Sequence, residues 1–158
     1  YACECSRHDV VTAGGGGAGE LRYPGTCAAK GLADGPGRGL RVHLPADVLR
    51  FDDGLLGPQT QQPSSQCGDL LVRDREGHWT YQFAVVVDDW RQDVNLVVRG
   101  EDLLDSTGRQ MQLAAMLGRE ARVLELKDEV NQVLLHYGET PRYPSAAQEP
   151  SGGPGSGS

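Results

Sequence analysis

No stretch of this 158-residue chain approaches the roughly 18 consecutive apolar residues of a membrane span, so a crossing helix is not expected. A basic-then-apolar leader is missing too, and with it any sign of export. Positive charge is in short supply: 15 Lys and Arg face 22 Asp and Glu, for a formal charge of −7. Phosphate neutralisation needs clustered cations, which argues mildly against a nucleic-acid surface over the whole chain and leaves room for a local basic groove. There is no internal repeat, and the paired Cys-x-x-Cys signature of a zinc ribbon is absent. The first residue is Tyr1 rather than Met, two residues before a cysteine, which reads as a piece of a longer protein.

What is present suffices for one modest core, with 38% hydrophobic residues. The 22 glycines concentrate in residues 14–39 and in the tail from Gly152, so the folded part is shorter than the chain. Residues 14–17 read as a flexible excursion and 31–39 as a loop. A short helix is expected around 6–11. Alternation of apolar and polar residues predicts a strand at 40–44, with a further short one at 48–51 followed by a turn at Asp53 and Gly54, and residues 69–73 read as a strand joined to the next through the turn pair Glu76-Gly77. Residues 59–66 read as a loop. The β-branched run within 79–87 and the segment 95–99 suit buried strands of a parallel sheet. Thr107 and Gln110 have capping-box spacing, which starts a helix that Gly118 stops. A second helix is expected at 120–137, with Leu126, Val130, Val133, Leu134 and Tyr137 on one face. Everything beyond Pro141 is too polar and small to order itself.

Cys3 and Cys5 stand one residue apart, and Cys27 closes a loop-rich unit. Thiolates so placed bond each other poorly but can both face a metal, and zinc favours four sulfur or nitrogen donors in a tetrahedron. Candidates for the fourth position are Tyr23, His8 and Cys67. Reduced free thiols, or a disulfide from Cys27 to Cys3 or Cys5 in an oxidising compartment, remain the alternatives.

Taken in order, the motifs add up to a family. They are Tyr-x-Cys-x-Cys-Ser-Arg from Tyr1, Tyr-Pro-Gly-Thr-Cys from Tyr23, Tyr-Gln-x-Ala-Val-Val-Val-Asp-Asp from Tyr81, and Val-Val-Arg-Gly-Glu-Asp-Leu-Leu-Asp-Ser-Thr-x-Arg-Gln from Val97. This order resembles the glutamyl-tRNA synthetase family of class I, nearest to its short branch that attaches glutamate to the queuosine base of tRNA-Asp. The likeness covers residues 1–118.

The resemblance implies an α/β fold: a partial Rossmann-type catalytic domain with a zinc-containing α+β insertion that binds the acceptor end of tRNA. It divides the chain into a zinc-binding loop unit (1–39), the strand-rich part of the insertion (40–80), a second-half segment of the nucleotide-binding sheet (81–118), an amphipathic helix (119–138) and a disordered tail (139–158). Cys3, Cys5, Tyr23 and Cys27 match the family's zinc ligands. Tyr81 and Arg99 match the tyrosine and arginine that hold glutamate. A guanidinium can grip a carboxylate through two parallel charge-assisted hydrogen bonds, and a phenol orients without adding charge. Asp88, Asp89, Glu101, Asp102 and Asp105 read as structural caps, and no catalytic residue is assigned. Expected partners are glutamate, ATP as substrate of the full enzyme, and tRNA, tRNA-Asp above others, with no membrane, for a cytoplasmic monomer. Neither ATP motif of the family, the His-x-Gly-His type nor the Lys-Met-Ser-Lys-Ser type, occurs in the sequence. His136-Tyr-Gly-Glu139 matches the first only superficially.

Overall fold

The computed structural model describes residues 1–15 and 20–143. Part of the glycine run and the tail 144–158, where flexible and disordered chain was expected, lie outside them. The elements run β1 Ala2–Cys3, α1 Arg7–Val10, β2 Gly39–Val42, β3 Leu49–Asp53, β4 Gly57–Gln61, α2 Pro63–Gln66, β5 Leu70–Arg73, α3 Tyr81–Arg91 and α4 Thr107–His136. A π-type turn at Val11–Gly15 and a 3-10 segment at Glu101–Ser106 complete the set. Two compact units emerge, Tyr1–Ala115 and Met116–Ser158.

The first unit is built on an antiparallel sheet in the order β1–β2–β5, with Ala2 opposite Leu40 and Val42 opposite Leu70. Strands expected at 40–44 and 69–73 are therefore present. A separate hairpin pairs β3 with β4 from Leu49↔Gln61 to Asp53↔Gly57. Asp53 closes its turn by accepting hydrogen bonds from the Leu55 and Leu56 amides at 2.9 and 2.8 Å. The stretch 59–66, expected as loop, instead holds the end of β4 and the short helix α2; Gly57-Pro-Gln-Thr-Gln61 has no apolar alternation and is recognisable only through its partner. Helix α1 starts on a capping box in which the Ser6 hydroxyl accepts from the Asp9 amide while Asp9 accepts from the Ser6 amide.

Residues expected as parallel strands are not strands. The run at 79–87 gives a single bridge, Arg73↔Trp79, and then the helix α3. Phe83, Val86, Val87 and Trp90 recur at helical spacing, and that period outweighs the strand propensity of three consecutive valines. A helix also satisfies its backbone locally, whereas a parallel strand depends on neighbours distant in sequence. Residues 95–99 have no neighbouring strand among the described residues. They run as irregular chain with Leu96 76% and Val98 89% exposed.

Gly118 does not stop a helix: α4 is continuous over 30 residues. Mid-helix glycine costs about 1 kcal/mol against alanine, which the Ala, Leu, Met and Glu around it outweigh. The end comes at Gly138, whose φ of +75° is left-handed. Its amide donates to Leu135 O and the Glu139 amide to Leu134 O, the paired bonds of a Schellman motif. His136-Tyr-Gly-Glu139 is thus a helix terminus. In the second unit Asn131 is buried and binds the backbone of Arg142 and Tyr143, while Leu126, Val130, Val133 and Tyr137 are exposed. No described helix is long and apolar enough to cross a membrane.

Polar clamps hold the start of α4 within the first unit. Gln61, at the end of β4, donates to Leu104 O and accepts from the Gly108 amide. The fit is close: a Cβ at Gly108 would lie 2.7 Å from Gln61 Oε1, so a larger residue would displace the Gln61 amide. Buried Arg109 makes a two-pronged ion pair with Glu20. Burial alone would weaken the Arg109 charge, but Glu20 and its neighbours more than restore it.

Candidate metal centre and ligand site

The small apolar core near the N-terminus consists largely of the candidate ligands: Cys3, Val10, Tyr23 and Cys27 are buried together, with Cys5, Leu21 and Leu32 against them. β1 delivers Cys3, and the Ser6–Asp9 capping box fixes the chain just after Cys5. Tyr23 is pinned by its amide, which donates to Cys67 O at 2.9 Å, and by a parallel bridge to Gly68. Gly68 has a φ of +69°, and a Cβ there would fall 2.0 Å from Tyr23 O. Only glycine admits this approach.

The three thiol sulfurs lie within 4.8 Å of one another. Cys5 Sγ is 3.5 Å from Cys27 Sγ, and the Tyr23 hydroxyl is 3.5 Å from Cys3 Sγ. Zinc–sulfur bonds of about 2.3 Å set sulfurs about 3.8 Å apart in a tetrahedron, so the donor set fits the ion. No disulfide joins these cysteines. Burial pushes the Cys5 thiol up to about 11, with hydrogen bonding to Cys27 adding to the shift. Burial likewise raises the Tyr23 phenol, and the bond with Cys3 adds to it. For Cys27 burial is outweighed by the Glu4 amide, the Tyr23 hydroxyl and the other two thiols, which hold it below its usual value. A divalent cation at this cluster would favour ionisation of its thiol ligands. Of the other candidates, His8 is exposed on α1 and Cys67 is buried apart, its thiol donating to Pro63 O.

Arg99 occupies a different place. Its guanidinium donates to Gln110 Oε1 and Thr107 Oγ1. Gln110 Nε2 in turn donates to Gln82 Oε1 at 2.7 Å, and Gln82 Nε2 donates to the Ser106 hydroxyl at 2.8 Å. This directional chain orients both amides, so that Gln110 faces Arg99 with its oxygen. Thr107 and Gln110, spaced as a capping box, give both oxygens to Arg99 instead. Arg99 and Thr107 line a cavity of about 450 Å³ with Phe51, Leu55, Leu96 and Val98. Tyr81, at the first turn of α3 and 55% exposed, is not among the lining residues. It is linked to Arg99 only through its neighbour Gln82.

Asp88 and Asp89 sit within α3 rather than at a strand end. Asp74, Glu76 and His78 also converge, but on an exposed turn where Asp74 accepts the amides of Glu76 and His78. The sequence reading missed Gln82 and Arg41. Gln82 lies inside a quoted motif beside Tyr81, and only the register of a helix brings it to Gln110. Arg41 interrupts the apolar residues of β2, a charge on a half-buried strand that signals a partner.

Residues 25–132 match the family model for tRNA synthetases class I (E and Q), catalytic domain. The chain is 46% identical over 126 residues to a glutamyl-Q tRNA(Asp) synthetase of Janthinobacterium sp. (strain Marseille), a match covering 75% of this chain and 43% of that protein. Against the glutamyl-Q tRNA(Asp) synthetase of Geobacter sulfurreducens the identity is 43% over 127 residues, covering 78% and 40%. The chain thus spans about two fifths of the length of these relatives.

Proposed function

The chain belongs to the tRNA synthetases of class I (E and Q), in their catalytic domain, and on that premise we propose that it carries part of a ligase that activates glutamate with ATP and joins it to tRNA. The acceptor we infer is the queuosine base of tRNA-Asp, the specificity expressed in the names of its relatives. One observation carries the glutamate reading. Arg99 is held by two neutral oxygens, and among the described residues no carboxylate pairs with it. A guanidinium so held keeps its full charge for a ligand, and a carboxylate offers it two oxygens where an amide offers one. Tyr81 matches the family's glutamate-holding tyrosine but lies outside the cavity that Arg99 lines, so the glutamate reading rests on Arg99.

The ligands assigned to zinc are Cys3, Cys5 and Cys27 through sulfur and Tyr23 through its phenol oxygen. When bound, the ion supplies structural cross-linking of loop segments that have little other core. Glycines between Cys5 and Tyr23 lengthen the intervening loop at small entropic cost. Because neither ATP motif is present in the sequence, the chain alone is expected to show no ATP–pyrophosphate exchange with glutamate.

Calorimetry with glutamate tests the reading: binding is expected for the wild-type chain and lost in Arg99→Ala. A gel shift with tRNA-Asp is expected to weaken steeply as salt rises. Salt-sensitive tRNA binding with no glutamate binding would instead mark a noncatalytic tRNA-binding module.

A further inference from the structure

Arg41 lies at the centre of β2 and turns its side chain onto the cysteine cluster. Its Nε donates to Cys3 Sγ at 3.4 Å, and its guanidinium carbon stands 3.7 Å from the centroid of the Tyr23 ring. The remaining contact, Nη1 to Asp69 O at 2.8 Å, is to a neutral carbonyl. The Asp69 carboxylate is engaged elsewhere, by the Tyr1 hydroxyl and by His43 Nδ1. Among the described residues, then, Arg41 has no carboxylate partner. A half-buried cation without a counter-ion, touching two candidate ligands of one site, lacks a structural explanation in ordinary ion pairing.

The metal reading above, on which this rests, supplies one. Three thiolates already exceed the charge of a divalent ion, and an oxygen donor adds no compensation. Negative charge left over in a buried site is costly unless a cation lies close. Partners just outside the ligands orient them and tune the site, and their loss typically weakens metal binding by one or two orders of magnitude. A guanidinium suits this place better than an ammonium: it is flat enough to stack on a phenol while its edge donates to sulfur. We propose that Arg41 is the counter-charge of the metal site, a positioning residue that holds Cys3 and the Tyr23 ring in ligating geometry and offsets the excess thiolate charge.

Competition for zinc against a chromophoric chelator tests this on the full chain as wild type, Arg41→Gln and Arg41→Lys, with cobalt absorption reporting coordination geometry. The wild-type chain is expected to hold zinc, and Arg41→Gln to hold it about 10–100-fold more weakly. Arg41→Lys, which keeps the charge but not the planar fork, should recover part of that loss. At saturating cobalt all three should show the same tetrahedral bands, placing the defect in affinity rather than in folding. Zinc held by Arg41→Gln as tightly as by wild type overturns the inference and leaves the metal reading standing. Arg41→Lys as weak as Arg41→Gln, with the cobalt bands retained, also overturns it, since charge would then not be the cause. A wild-type chain that holds no zinc removes both.

Discussion

At the scale of single residues, the account turns on what each charge is given to face. Arg99 is held by the neutral Gln110 and Thr107, and Gln110 by Gln82. Replacing Gln110 with Glu would hand Arg99 a carboxylate of its own. Glutamate affinity is expected to fall at least about tenfold, the range of one lost charge-assisted contact, while Gln110→Met should cost less; calorimetry separates the two. Gly68 makes a different kind of point. Its left-handed φ and the 2.0 Å approach to Tyr23 O leave no room for a methyl group. Gly68→Ala is expected to destabilise the chain by about 1–3 kcal/mol, the usual range for local backbone strain, read by denaturant unfolding. The neutral partners that hold Arg99 and the close approach at Gly68 cannot be seen in the sequence alone. Tyr81, Arg99 and the cysteines stand out in the sequence because they sit in long motifs. Gln82 and Arg41 act through contacts 28 and 38 residues away.

At the scale of elements, local rules succeeded where the chain satisfies itself locally. The strand around Leu40 alternates, the one around Leu70 is marked by the Glu76-Gly77 turn that follows it, and Asp53-Gly54 announces a turn. The Asp53 carboxylate is held below its usual value by the amides of Leu56 and Leu55. A carboxylate depressed in the folded state stabilises it above the unfolded value near about 3.9 and loses that contribution as pH falls. The difference in melting temperature between wild type and Asp53→Ala should therefore be full at neutral pH and shrink below pH about 4. Reading failed where two rules competed. Three valines suggested a strand at 84–87, yet helical spacing and self-sufficient hydrogen bonding won in α3. Gly118 resembled a stop, yet it lies within α4 with open space around its Cα. Gly118→Ala is expected to stabilise the chain by about 1 kcal/mol, whereas a left-handed helix stop would be harmed by the same change. Thermal unfolding followed by circular dichroism decides the sign.

For the whole molecule, the first unit joins two kinds of stabilisation. Near the N-terminus the core is the cluster of candidate ligands, so a metal bound there is expected to contribute directly to folding. Removing it with a strong chelator is expected to lower the melting temperature and expose Cys3, Cys5 and Cys27 to thiol reagents, with re-addition of zinc reversing both. Around α4 the work is done by Gln61, Arg109 and Gln112. Between these regions, residues 95–98 keep the composition of a buried strand but stand exposed. The class I synthetase family was legible from motif order, and mixed helix and strand followed. A parallel sheet was not recoverable, because strand partners are a property of tertiary pairing and none lies beside this segment among the described residues.

The most direct test of the central claim is titration of the chain with glutamate and, separately, glutamine, followed by the side-chain NMR signal of Arg99. The account predicts that glutamate shifts the Arg99 resonance saturably and that glutamine, at equal concentration, does so far less. An Arg99 signal unmoved by glutamate, or moved equally by both, would contradict it.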